Sequence, residues 1–135
     1  MRDIVSSRKF EKDGFTVIVN RIIDIDMECE TPEQQQANYA GCSKKEKREY
    51  FKQDKAHYDA FCNGEWYYQG VAVEIRKQTV SNWADGGLEV GRASVWGVES
   101  DSDASYFATL EDEEISEAFT EVARLKTALG IEVTQ

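Results

Sequence analysis

Three cysteines, one histidine and one proline are all that this 135-residue chain carries of those residue types, and no Lys or Arg lies between Glu99 and Glu121. Each scarcity excludes something. Cys29, Cys42 and Cys62 are odd in number and spaced by 13 and 20 residues, which fits neither a disulfide framework nor a zinc-ligand pattern. Free thiols in a reducing cytosol are the simplest reading. His57 is the only imidazole, and no local nucleophile signature surrounds any cysteine, so a helix-surface histidine is preferred over a Cys–His catalytic pair. The charged start, Met1 to Lys9, has no apolar run behind it, so no signal peptide is expected. Nowhere do 18 apolar residues run together, which argues against a spanning helix and for a cytoplasmic protein. Gly86-Gly87 followed by Gly91 lacks the lysine and the following helix of a phosphate-binding loop. No cofactor is expected.

What is present is a chain of ordinary globular composition with its charge on one side. Apolar residues make up 41% and aromatics 11%, too rich for disorder, and 135 residues fit one domain, 1–135. The net charge of −10 is uneven: 11 basic and 12 acidic groups in residues 1–62 give −1, and 5 basic and 14 acidic groups in residues 63–135 give −9.

Along the chain, Phe15 to Asp26 reads as a first strand, β-branched and preceded by Asp13-Gly14. Thr31-Pro32 with Gln34 predicts a short capped helix, and Ser43 with Glu46 a second capping box, opening a helix through Tyr50, Phe51, His57, Tyr58 and Phe61 to Asn63-Gly64. Trp66–Lys77 and Leu88–Val98 predict an antiparallel pair joined through Asp85-Gly86-Gly87. The first would set Val71, Val73 and Ile75 on one face, the second Leu88, Val90, Trp96 and Val98. Gly91 and Gly97 mark a bulge or a close backbone approach. Ile115, Phe119, Val122, Leu125 and Leu129 form one apolar helical stripe that Gly130 ends, with Glu111 to Glu114 in its first turns. The order β-α-β-β-α predicts an α+β domain with its helices packed on one face of a small antiparallel sheet.

Four clusters bear on chemistry. Asp24, Asp26, Glu28 and Glu30 alternate, so an extended strand would point all four one way, as a row for Mg²⁺ or Mn²⁺ or as charges that deter edge pairing. Asp101-Ser102-Asp103 opens like a calcium loop, but Tyr106 and Asp112 stand where glycine and glutamate are required, and helix capping explains the same residues. Trp66, Tyr67, Tyr68, Trp83 and Trp96 could stack bases, but the surrounding charge has the wrong sign, so core packing or a protein partner fits them better.

The fourth cluster is the densest. Glu99, Asp101, Asp103, Glu111, Asp112, Glu113, Glu114, Glu117 and Glu121 form a block of nine carboxylates. Such a field repels nucleic acid and is drawn to cationic grooves, including those that hold nucleic acid. Its bland counterpart is a solvated helix face matched to the helix dipole.

Gly64-Glu65-Trp66-Tyr67-Tyr68-Gln69-Gly70-Val71 and the run from Gly91 through Val98-Glu99-Ser100-Asp101-Ser102-Asp103 resemble a pattern in small uncharacterised phage and mobile-element proteins. Those pair a tryptophan-tyrosine strand with the same acidic turn and an acidic C-terminal helix. The resemblance spans roughly residues 62–129 and transfers no functional residue. It implies a phage context, in which small acidic proteins block host machinery, anti-CRISPR proteins being the best-known case. The expectation is therefore a non-enzymatic inhibitor in the host cytoplasm. It would use Glu99, Asp101, Asp103, Glu111, Asp112, Glu113, Glu114 and Glu117 to occupy the basic groove of a host protein such as a CRISPR effector, without touching nucleic acid or membrane. The alternatives are a divalent-metal-dependent enzyme using Asp24, Asp26 and Glu28, and a self-associating phage structural or assembly protein.

Overall fold

Asp13 and Gly14 both sit at positive φ (55° and 82°), as the tight two-residue turn favoured by Asp-Gly requires. They close a hairpin between β1 (Ile4–Lys12) and β2 (Phe15–Ile23), with Lys12 opposite Phe15 and Phe10 opposite Val17. The structure, a computed structural model, describes residues 3–78 and 87–130. After β2 come α1 (Pro32–Gln35), a single 3-10 turn (Gln36–Tyr39), α2 (Lys44–Cys62), β3 (Tyr68–Lys77), β4 (Leu88–Glu99) and α3 (Ala104–Leu129). The four strands form one antiparallel sheet in the order β1-β2-β3-β4.

The α+β class and the antiparallel sheet match the sequence expectation, but the order is β-β-α-β-β-α rather than β-α-β-β-α. The strand missed is β1, whose residues Ser6 to Lys9 are all exposed and polar. Its partner β2 stops at Ile23 instead of Asp26, because residues 25 and 26 turn.

One face of the sheet holds the core. Val17, Val19, Val71, Val73, Ile75 and Val98 pack against Phe107, Leu110, Ile115, Ala118 and Val122 of α3. Burying each such aliphatic side chain contributes about 1.5–3 kcal/mol. Gly91 lets the helix come this close: a Cβ there would lie 2.5 Å from the Ala118 carbonyl oxygen. Gly97 (φ 75°) sits where β4 slips against β3 between the Gln69 and Val71 pairings, so both glycines do what their position in a strand implied. The slips also break the alternation expected of β4. Val98 is buried in the core, Leu88 is exposed, and the Trp96 ring covers Gly70, a residue of the strand face opposite Val71 and Val73. The connector at residues 79–86, with Trp83 and Asp85-Gly86, lies outside the described residues.

The helices do not share a face. α3 alone covers the core side. α2 meets the sheet through Phe61 and Tyr68 (ring centroids 5.7 Å apart), and Tyr68 alternates with Val71 and Val73 to the other side. Both expected capping boxes are present: Thr31 and Gln34 start α1, Ser43 and Glu46 start α2. No residue of α2 is fully buried, so its caps and its few contacts hold it.

Candidate functional site

α3 begins at Ala104, seven residues before the acidic run, so Glu111 to Glu114 lie beyond the first turn and the N-terminal dipole does not account for them. Asp103 occupies the N-cap position without a side-chain cap bond. The nine carboxylates then divide by environment. Glu111 turns inward: it is 8% exposed and accepts hydrogen bonds from Arg8 Nη2 (2.9 Å), Arg8 Nε (3.2 Å) and Arg21 Nε (2.9 Å). Glu99 lies 3.1 Å from His57 Nε2, and Glu121 pairs with Arg124. Glu114 is half-buried, and burial first, then Glu117 and Glu113, push its carboxyl above the usual range.

Asp101, Asp103, Asp112, Glu113 and Glu117 remain, all exposed, and the ion pairs among the described residues engage none of them. Tyr106 stands out from the same helix at 51% exposure. Residues seven and eleven apart recur on one side of a helix, so Tyr106, Glu113 and Glu117 share a stripe. An exposed aromatic set among carboxylates is what a docking face uses as an anchor. The i, i+7 spacing from Tyr106 to Glu113 is legible in the sequence, and the apolar stripe of Ile115, Phe119 and Val122 lies on the other side of the helix. That stripe is buried only as far as Val122, since Leu125 and Leu129 are exposed.

At the opposite end of the sheet, β4 leads through Glu99 to Asp103 into α3, beside α2. Ser100 N donates to the Tyr67 carbonyl (2.8 Å), Tyr67 N donates to Ser100 Oγ (2.9 Å), and Ser102 N donates to the Glu99 carbonyl (3.1 Å), which fixes this turn. His57 faces it. Its ring stacks on Trp66 (4.1 Å, 16°), and Trp66 Nε1 donates to the His57 carbonyl at 2.8 Å. Trp66 is 3% exposed and also packs against Phe61 and Tyr68, so it is a core residue of this junction and not a base-stacking platform.

The Asp24 row does not assemble. Asp24 Oδ2 accepts the Gly97 N–H (3.0 Å), and the turn at residues 25–26 ends the alternation. The three cysteines are free thiols. Burial pushes the Cys29 thiol above its usual range, partly offset by its hydrogen bond with Tyr68. No helix among the described residues is long and apolar enough to cross a membrane. No protein-family model matches the chain, and no curated protein or solved structure is significantly similar to it.

Proposed function

We propose that this chain is a non-enzymatic binding protein whose acidic helix face fills a basic, nucleic-acid-binding groove of a host protein, as a phage-encoded inhibitor of the anti-CRISPR kind would. One observation carries the reading: Glu113 and Glu117, on one stripe with Tyr106, and Asp112, from a neighbouring side of the helix, project from α3, and the ion pairs among the described residues leave all three carboxylates out. Asp101 and Asp103 extend the same field from the turn before the helix. A cationic groove would gain long-range attraction from the carboxylates and a desolvated anchor from the tyrosine. Glu111 drops out of the contact set, because its charge is already spent on two arginines. The phage context rests on the resemblance of residues 64–71 and 91–103, which form adjoining parts of β3, β4 and the turn into α3.

The test is capture from bacterial lysate with the wild-type chain and an Asp112→Lys/Glu113→Lys/Glu117→Lys variant. Expected is a nucleic-acid-binding protein that the wild type retains at low salt, that its own nucleic acid displaces, and that the folded variant fails to retain. Equal capture by both chains would sink the proposal.

A further inference from the structure

The junction of α2 with the turn before α3 points to a second site. We infer that His57 Nε2, Glu99 and Asp101 form a binding site for a first-row divalent metal of the Zn²⁺ class, which ties α2 to the sheet. The three residues come from three places in the fold: the last third of α2, the last residue of β4 and the turn after it. One ligand atom from each lies within 4.8 Å of the others. His57 Nε2 and Glu99 Oε2 are 3.1 Å apart. Two ligands each about 2.0–2.1 Å from one metal lie roughly 2.9 Å apart at a right angle and about 3.4 Å apart at the tetrahedral angle, so this separation is that of neighbouring ligands on one ion.

The histidine is held for the role. Stacking on Trp66 fixes the ring plane, and the bond from Trp66 Nε1 to the His57 carbonyl fixes the backbone beneath it. On the other side, the bonds linking Tyr67 with Ser100, and Ser102 with Glu99, hold the turn that carries Glu99 and Asp101. One imidazole nitrogen and two carboxylates suit Zn²⁺ or Co²⁺ better than Mg²⁺ or Ca²⁺, which prefer oxygen throughout. Three protein ligands leave room for water to complete the shell. A plain His57–Glu99 hydrogen bond would give Asp101 no part. Asp101 is therefore the residue that decides between the two.

The same atoms explain what the ion would do. α2 buries no residue fully, and its tie to the sheet runs through a small group of aromatic contacts. A metal shared between His57 and the β4–α3 turn would add a clip where these contacts already join α2 to the sheet.

The experiment is calorimetric titration of Zn²⁺ into the full chain, repeated with Mg²⁺, and followed by Co²⁺ absorption. Expected are one saturable Zn²⁺ site per chain, no Mg²⁺ binding at matched concentration, and a Co²⁺ spectrum without a thiolate charge-transfer band. Asp101→Asn, at an exposed position, should weaken Zn²⁺ at least tenfold and remove the metal-induced rise in Tm. Asp112→Asn/Glu113→Gln should bind as the wild type does. A thiolate band would assign the metal to the cysteines. Unchanged affinity in Asp101→Asn, or no saturable site, would also overturn the inference. The titration involves no partner, and the docking variant leaves all three ligands in place, so either proposal can fail alone.

Discussion

A single carboxylate, Glu111, meets two guanidinium groups from neighbouring strands, one of which, Arg21, also lies 4.2 Å over the Phe107 ring. Glu111 is nearly buried, whereas the side chains of Arg8 and Arg21 are 50% and 31% exposed. Water therefore screens the arginines, and the loss on removing the carboxylate charge is smaller than for a fully buried pair. Glu111→Gln should cost about 1–3 kcal/mol in urea unfolding, while Glu113→Gln on the solvent side stays within about 0.5 kcal/mol. Equal losses would mean that the two-arginine clamp contributes nothing. Tyr68 gives a second prediction at this scale. Burial chiefly, then the nearby Cys29, pushes its phenol up to about 12. The unfolded phenol ionises near 10, so between about pH 10 and about pH 12 the folded chain holds a proton that the unfolded chain has lost. Stability contributed by Tyr68 is thus complete below about pH 10 and falls as pH rises towards about 12. Tyr68→Phe should flatten that alkaline decline, measured as Tm against pH.

α2 and α3 are unlike elements held by different forces. α3 lays Phe107, Leu110, Ile115, Ala118 and Val122 on the sheet, whereas α2 has no fully buried residue and relies on its Ser43–Glu46 capping box. Ser43→Ala should therefore cost about 1 kcal/mol, felt locally. Hydrogen exchange should speed up along α2 with β2 and β3 amides unchanged; a uniform increase would show that α2 and the sheet open together. Along α3, Glu114 sits partly buried beside Glu113 and Glu117, and its raised carboxyl means that its charge is a burden to the fold at neutral pH. Glu114→Gln should raise stability by about 0.2–0.5 kcal/mol at pH 7, and the gain should vanish once the wild-type carboxyl is protonated at low pH. These elements also mark how far the sequence could be read. The caps of α1 and α2, the inward face of β3 and the glycine stop of α3 are local signals, each legible within a few residues. β1 is not legible because an edge strand need not alternate apolar and polar residues, and Asp13-Gly14, read only as what precedes the first strand, is the turn that joins the two. The role of Glu111 was out of reach, since its partners lie 103 and 90 residues away in sequence. His57, Glu99 and Asp101 are brought together only by the packing of α2 against the end of the sheet.

For the whole molecule, the decisive quantity is how a net charge of −10 is distributed. Half of the ion pairs among the described residues are local, such as Lys55 with Asp59 and Arg92 with Glu89, and the pairs at Glu111 are sheltered from solvent on their acidic side. The repulsive charges, including Asp112, Glu113 and Glu117, are exposed and spaced over several turns. Salt screens exposed and distant charges more than close, sheltered ones. Raising ionic strength should thus remove more repulsion than attraction, and Tm should rise by a few degrees between low and moderate NaCl. Asp112→Asn/Glu113→Gln/Glu117→Gln removes the repulsion at its source. That variant should be more stable at low salt and should respond to NaCl much less than the wild type. If wild-type Tm instead fell with salt, attraction would dominate, and the acidic face would already be satisfied within the molecule. It would then have little charge to offer a cationic groove, so this measurement on the isolated protein also bears on the docking proposal before any partner is in hand.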